Sequence, residues 1–136
     1  MLRWSGNKQD MVLLLAEHIG TPKRLVEPFC GTGIVSHTVG VPCWLNDANF
    51  DLINFHRFQN RLGVVKTIKN KEEFDKLRMK FNSSTRKGIR AAKRFWEINC
   101  SSHRGLMNYG TSGQLITSYG YSTSRSCPLP IKYDKL

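Results

Sequence analysis

Glu27 closes a short apolar run, Lys23-Arg24-Leu25-Val26-Glu27-Pro28-Phe29, that leads into Cys30-Gly31-Thr32-Gly33. A strand, a Gly-x-Gly turn and a helix in that order let backbone amides approach a ligand closely, and a carboxylate at the strand's end accepts hydrogen bonds from a ribose or an amino group. A second acid, Asp47, follows the next apolar run in Asn46-Asp47-Ala48-Asn49 and is placed to accept the two hydroxyls of a nucleoside ribose. In doubly wound folds ligands bind outside the carboxyl ends of the strands, and both acids fall there. Upstream, Trp4-Ser5-Gly6-Asn7-Lys8 sets an aromatic ring and an ammonium ahead of the first helix. Taken singly these residues have plainer readings: Trp4 as core, Lys8 as a surface charge, Asp47 as a helix cap.

A second chemistry is carried by charge. The chain has 21 Lys and Arg against 10 Asp and Glu, a formal charge of +11. Nearly all of the excess lies between positions 57 and 104, which hold fourteen basic residues and four acidic ones. Positions 66–80 interleave acids with lysines and fit a solvated helical face. Positions 86–94 do not, because Arg86, Lys87, Arg90, Lys93 and Arg94 recur at helical spacing with no acid before Glu97. Such a stripe meets phosphates in register, so a nucleic acid is the partner to expect, or else an acidic protein surface.

The elements that must position these groups follow from periodicity and punctuation. Residues 9–18, with Met11, Val12, Leu14 and Leu15, predict an amphipathic helix stopped by Gly20. Residues 23–28 predict a buried strand, 33–39 a short helix, 41–47 a second short strand, and 49–62 a helix capped by Asn49. A further helix is expected over 72–82, and a longer one from a Thr85 cap to Asn99. After Asn99 the composition turns to Ser, Gly, Thr and Tyr, with a hairpin expected around 110–113. The segment from Ser122 shows no periodic signal.

At 136 residues the chain is one domain's worth, and 40% apolar with 10% aromatic residues excludes a disordered tail. No stretch approaches the ~20 apolar residues of a membrane span. The run at 11–16 is too short for a signal-peptide core, so an intracellular, cytoplasmic protein is expected, in the host cytoplasm if phage-encoded. Cys30, Cys43, Cys100 and Cys127 are too widely spaced for a zinc clamp, which predicts thiols and no metal.

In combination these residues resemble the Dam family of adenine-N6 DNA methyltransferases. Positions 2–8 are similar to the family's opening, Leu25-Val26-Glu27-Pro28-Phe29 with Gly31 and Gly33 to its S-adenosylmethionine (AdoMet) motif, and Leu45-Asn46-Asp47-Ala48-Asn49 to its ribose-binding segment. Residues 74–82 match its Phe/Leu-Arg-x-x-Phe-Asn helix, and 99–120 the approach to its DNA-binding hairpin. The resemblance implies that Trp4, Lys8, Glu27, Phe29, Gly31, Gly33 and Asp47 surround AdoMet. It also implies that Asn99, His103, Arg104, Asn108 and Tyr109 join the basic stripe against DNA. Asn99, Gly105, Leu106, Tyr109, Gly113 and Gly120 match the family's pattern. Asn108 stands where the family has an arginine that reads guanine, Ser118 where it has a proline, and His103 and Arg104 where it has an aromatic residue and an asparagine. An asparagine cannot make arginine's bidentate contact to guanine O6 and N7, so the resemblance does not extend to reading GATC.

The implied fold class is α/β: a truncated Rossmann-like AdoMet-methyltransferase half over 1–62, a basic helical and hairpin recognition subdomain over 63–121, and a tail over 122–136. The family's catalytic Asp-Pro-Pro-Tyr motif has no counterpart, and no Pro-Pro pair occurs in the sequence. The expectation is therefore a catalytically inactive binding protein with AdoMet affinity weakened or lost. A phage-type inhibitor or regulator of a host restriction, CRISPR or recombination machine fits it. The alternatives are one half of a split methyltransferase or an AdoMet sensor. In the family the strand bearing that motif pairs with the 23–28 strand, so an exposed sheet edge is expected, covered by the tail, a second copy or a partner chain.

Overall fold

The computed structural model describes residues 2–66 and 68–120. Two parallel strands, β1 (Leu25–Glu27) and β2 (Cys43–Leu45), pair in register with Val26 opposite Trp44. Around them run α1 (Val12–Ile19), α2 (Ile34–Val39), α3 (Phe50–Phe58), α4 (Lys71–Ser83) and α5 (Gly88–Ser101). Short 3-10 turns at Gln9–Met11, Gln59–Arg61 and His103–Gly105 complete the order. The mixture of helices with a small parallel sheet agrees with the α/β class. No described helix is long and apolar enough to cross a membrane.

The core is aromatic and sits between α3, α4 and α5. Phe55 stacks on Trp96 with ring centroids 5.2 Å apart, and Phe95 lies 6.0 Å from Phe55 and 6.4 Å from Phe81. All four rings are essentially inaccessible, and burial of each such side chain stabilises the fold by roughly 1.5–3 kcal/mol. Their spacing in the sequence explains the packing: Ala91, Ala92, Phe95, Trp96, Ile98 and Asn99 form the buried stripe of α5, leaving Arg90 and Lys93 on the outside. Two asparagine caps start the helices of this layer. Asn49 accepts the Leu52 amide at 3.0 Å, and Asn70 accepts the Glu73 amide at 2.8 Å.

Three local expectations are corrected. The 23–28 segment is not a buried strand: Val26 is 46% exposed and its register partner Trp44 64%, so one face of the sheet is bare. The first helix ends at Gly20 as expected, yet buries no residue fully, and Leu13 is 77% exposed. Its main packing partner is α2. The fifth helix begins at Gly88 rather than from a Thr85 cap, because the Asn54 side chain bonds both the amide and the carbonyl of Gly88 (2.8 and 3.0 Å). Arg86 therefore lies ahead of the helix, and the cations at true helical spacing are Arg90, Lys93 and Arg94. The expected tail over 122–136 lies outside the described residues.

Candidate cofactor cleft and basic helical face

The cleft is built at the carboxyl end of the two strands. Glu27 ends β1, and its Oε2 accepts the Ser36 amide at 2.9 Å and the Ser36 hydroxyl, which ties the strand end to α2. Asp47 follows β2 by two residues. Its Oδ2 accepts the Gly31 amide at 3.1 Å and its Oδ1 the Asn49 amide at 3.0 Å, so one carboxylate holds the Gly-x-Gly turn and the entry to α3 together. Gly31 has φ +51°, a left-handed conformation that favours glycine, and a Cβ there would stand 3.6 Å from Trp4 Cδ1. The turn and the indole are thus neighbours. Gly33, also left-handed, precedes α2 and is buried.

Cys30 reports on the electrostatics of this place. Burial first, and then the charges of Asp47 and Glu27, push its thiol up to about 12, while Lys8 pulls the other way. The charges of Asp47, Glu27 and Lys8 thus all act on one buried thiol beside the Gly31 turn, against which Trp4 lies. Phe29 is 80% exposed. Chemically, two carboxylates stand at the strand ends, Asp47 bonded to the Gly31 and Asn49 amides and Glu27 to Ser36, with Trp4 against the Gly31 turn. Among the described residues no group of three or more His, Cys, Asp or Glu is arranged to hold a metal ion.

His56 supports the turn from below and was not foreseen. Its Nε2–H donates to the Gly31 carbonyl at 2.7 Å while its Nδ1 accepts from Gln59 Nε2 at 3.1 Å. That arrangement specifies the neutral ring with its proton on Nε2. Burial holds its pKa below the usual histidine value, against the opposing influence of the Gly31 carbonyl and Asp47. The i, i+3 spacing of His56 and Gln59 on one helical face was the only signal available in the sequence. Ser36 was likewise missed.

The residues assigned to nucleic acid separate into two groups. Lys87, Arg90 and Lys93 are exposed and Arg94 is half-buried. With Lys87 lying 5.8 Å from the Phe50 ring centroid, the stripe runs along the outside of α5. His103, Arg104 and Asn108 are also exposed, and Arg104 is held at φ +53°. Arg86, Asn99 and Tyr109 point inward instead. Arg86 makes a two-point pair with the buried Asp51, Nε to Oδ1 at 2.9 Å and a second nitrogen to Oδ2, and donates to the Gly113 carbonyl at 2.6 Å. Tyr109 donates its hydroxyl to Asp51 Oδ2 at 2.9 Å. Its pKa is pushed up by burial and by the adjacent carboxylate. Asn99 is 1% exposed; it accepts the Arg3 amide at 3.1 Å and donates to the carbonyls of Arg3 (2.8 Å) and Gly105 (3.2 Å). A side chain with three bonds in the interior is a clamp on the N-terminal segment. Gly105 has to be glycine here, because at φ +73° a Cβ would lie 2.1 Å from Arg3 Cβ.

Cys30 and Cys43 are free thiols. Cys100, near the end of α5, is disulfide-bonded, which corrects the expectation of thiols throughout.

The chain is similar to known DNA adenine methylases. The chain is 34% identical to the retron Ec67 DNA adenine methylase of Escherichia coli over 88% of its own length and 46% of the relative's. It is 30% identical to the DNA adenine methylase of Serratia marcescens, covering 88% of this chain and 48% of that one. With the DNA N-6-adenine-methyltransferase of Escherichia phage P1 the identity is 28%, over 95% of this chain and 18% of the phage protein. The chain thus spans about half the length, or less, of the curated relatives it matches. The model of the D12 class N6 adenine-specific DNA methyltransferases matches residues 4–130, from the Trp4 of the cleft to beyond the hairpin, and the chain belongs to that family.

Proposed function

We propose that this chain is a binding protein of two sites. AdoMet is held in the strand-end cleft by Trp4, Lys8, Glu27, Phe29, Gly31, Gly33 and Asp47, and DNA along the outside of α5 by Lys87, Arg90, Lys93 and Arg94. The observation that carries this reading is that Glu27, at the end of one parallel strand, and Asp47, just beyond the end of the other, each hold a backbone amide of the segment that follows the first strand, Ser36 at the start of α2 and Gly31 in the Gly-x-Gly turn. The donor set fits AdoMet: Asp47 is placed for ribose hydroxyls and the two carboxylates favour a sulfonium, with Trp4 and Phe29 as apolar walls. When bound, AdoMet supplies a methyl group on that sulfonium. In this chain Asp47 orients the turn, and His56 braces the Gly31 carbonyl beneath it.

By themselves these 136 residues bind and do not methylate. The family's acceptor for the adenine amino hydrogens is an Asp-Pro-Pro-Tyr motif, and no such sequence occurs among them. Among the described residues only two strands stand behind the site, and AdoMet affinity is expected to be weakened. In this capacity the chain acts as a regulator of a nucleic-acid machine of restriction, CRISPR or recombination type, engaging DNA or an acidic surface of its proteins. The bare Val26 and Trp44 face supports a second reading, in which another segment bearing the catalytic motif completes the sheet and methylation follows.

Isothermal titration of AdoMet, with and without a short duplex, tests the reading. Binding at micromolar strength or weaker is expected, abolished by Asp47→Asn. Arg90→Gln with Lys93→Gln should leave that heat alone and lower the salt slope of duplex binding by about 2, since each phosphate contact contributes roughly 0.9. No heat with AdoMet removes the cleft assignment. Transfer of labelled methyl to duplex by this chain alone removes the claim of inactivity.

A further inference from the structure

The hairpin at 108–116 is held in place chiefly from outside itself. Its own backbone bonds are Ile116 N to Asn108 O, Gly110 N to Gln114 O and Gly113 N to Gly110 O, around one bridge between Tyr109 and Leu115. A two-stranded hairpin of this size has little stability alone. Side chains of other elements supply the rest. From α4, Asn82 bonds both the amide and the carbonyl of Leu115 (each 2.9 Å), and Arg78 donates to the Thr117 carbonyl at 2.6 Å. From ahead of α5, Arg86 donates to the Gly113 carbonyl, and Asp51 of α3 accepts the Tyr109 hydroxyl.

The Asp51 and Arg86 pair differs from Asn82 and Arg78 in holding the hairpin at two separate places, Tyr109 on its first arm and Gly113 in its turn, where those hold only the second arm. Asp51 is 2% exposed, and a carboxylate so buried requires its partner. Arg86 also lies 5.3 Å from the Phe81 ring centroid and 5.6 Å from that of Tyr109, which fixes its plane. The pair is linked to the strand-end acid through the start of α3. Asp51 is in the first turn of α3, two residues after the Asn49 cap whose amide bonds Asp47, and Asp47 in turn holds Gly31. Asn108 precedes Tyr109 on the strand and is exposed, as the alternation of a strand requires once Tyr109 turns inward.

We propose that Asp51 and Arg86 are positioning residues that set the hairpin, with its outward Asn108, at a fixed place relative to the Asp47 end of the cleft, so that any reading of base sequence by the hairpin depends on this pair. The inference rests on the DNA-binding reading above. In it Arg86 leaves the phosphate-binding stripe and acts through the hairpin, while Arg90 and Lys93 retain the contacts that ignore sequence.

The test compares the full chain with Asp51→Asn and with Arg86→Lys, which keeps the charge and loses the two-point geometry. Amide hydrogen exchange is followed at Gly113, Leu115 and Ile116, and sequence preference is read by sequencing the bound fraction of a duplex pool with a randomised centre. In Asp51→Asn those amides should exchange at least about tenfold faster while those of α4 and α5 keep their protection. Enrichment of the preferred sequence should fall by about 10- to 100-fold, the worth of a bidentate base contact, with the salt slope unchanged. Arg86→Lys should show the same pattern at smaller size, and decides the matter if Asp51→Asn does not fold. Unchanged exchange at the three amides, or faster exchange with the preference intact, overturns the proposal. A wild-type chain that binds no duplex overturns the DNA reading instead, and the exchange arm then judges the positioning claim by itself.

Discussion

Asn99→Ala separates an interior clamp from a DNA contact. The side chain is 1% exposed and makes three hydrogen bonds, one accepted from the Arg3 amide and two donated to the Arg3 and Gly105 carbonyls. Truncation leaves three backbone groups without that partner in a place water reaches poorly. At about 1 kcal/mol for each bond, the loss is about 3 kcal/mol. With a urea slope of about 1–3 kcal/mol per molar, the midpoint should fall by about 1 to 3 M. The assay is equilibrium urea unfolding followed by tryptophan fluorescence, for which Trp96, wholly buried and stacked on Phe55, is the reporter. Asn99→Asp should be no milder, since it keeps the acceptor for the Arg3 amide but sets a carboxylate against two carbonyl oxygens. Duplex affinity of the folded fraction should be unchanged by Asn99→Ala. A midpoint within about 0.3 M of the wild type, together with tenfold weaker duplex binding, would place Asn99 on the DNA side and refute the clamp; the loss expected from its hydrogen bonds is several times larger.

Two further outcomes follow from the buried titratable groups of the cleft. His56 has a folded pKa lowered from the ordinary value by burial, so its contribution to stability is complete above about pH 6.5 and is lost as pH falls toward the lowered folded value. Urea midpoints taken between pH 7.5 and 5 should fall with pH in the wild type, and less steeply in His56→Gln; equal slopes would show that the ring is not held neutral beneath Gly31. Cys30, with its thiol pushed up to about 12, should react with iodoacetamide at pH 8 at least about a thousandfold more slowly than free cysteine, because the thiolate is the nucleophile. Peptide mapping of the alkylated native protein reads this directly, and rapid labelling of Cys30 would mean that the turn is open to water.

Whatever depends on neighbours a few residues apart is legible in the linear order of residues. Asn49 caps α3 through the amide of Leu52, three positions on, and the alternation of polar and apolar residues set the buried stripe of α5. The Gly-x-Gly turn after a strand ending in Glu27, and the acid at Asp47, were legible for the same reason. Packing sorts several equivalent cations and amides between the surface and the interior. Arg86 and Arg90 are alike in type and both belong to the basic run, yet a buried carboxylate 35 residues from Arg86 takes one and leaves the other to solvent. Asn99 was read as facing DNA, and its partner at Arg3 lies 96 residues away. The 23–28 segment is expected to be a buried strand, yet Val26 and its register partner Trp44 stand exposed on one face of the sheet. Local bonds are written in sequence spacing, whereas a buried charge selects its partner by proximity that the packing of α3 against α5 creates, and that proximity exists only after the chain has folded.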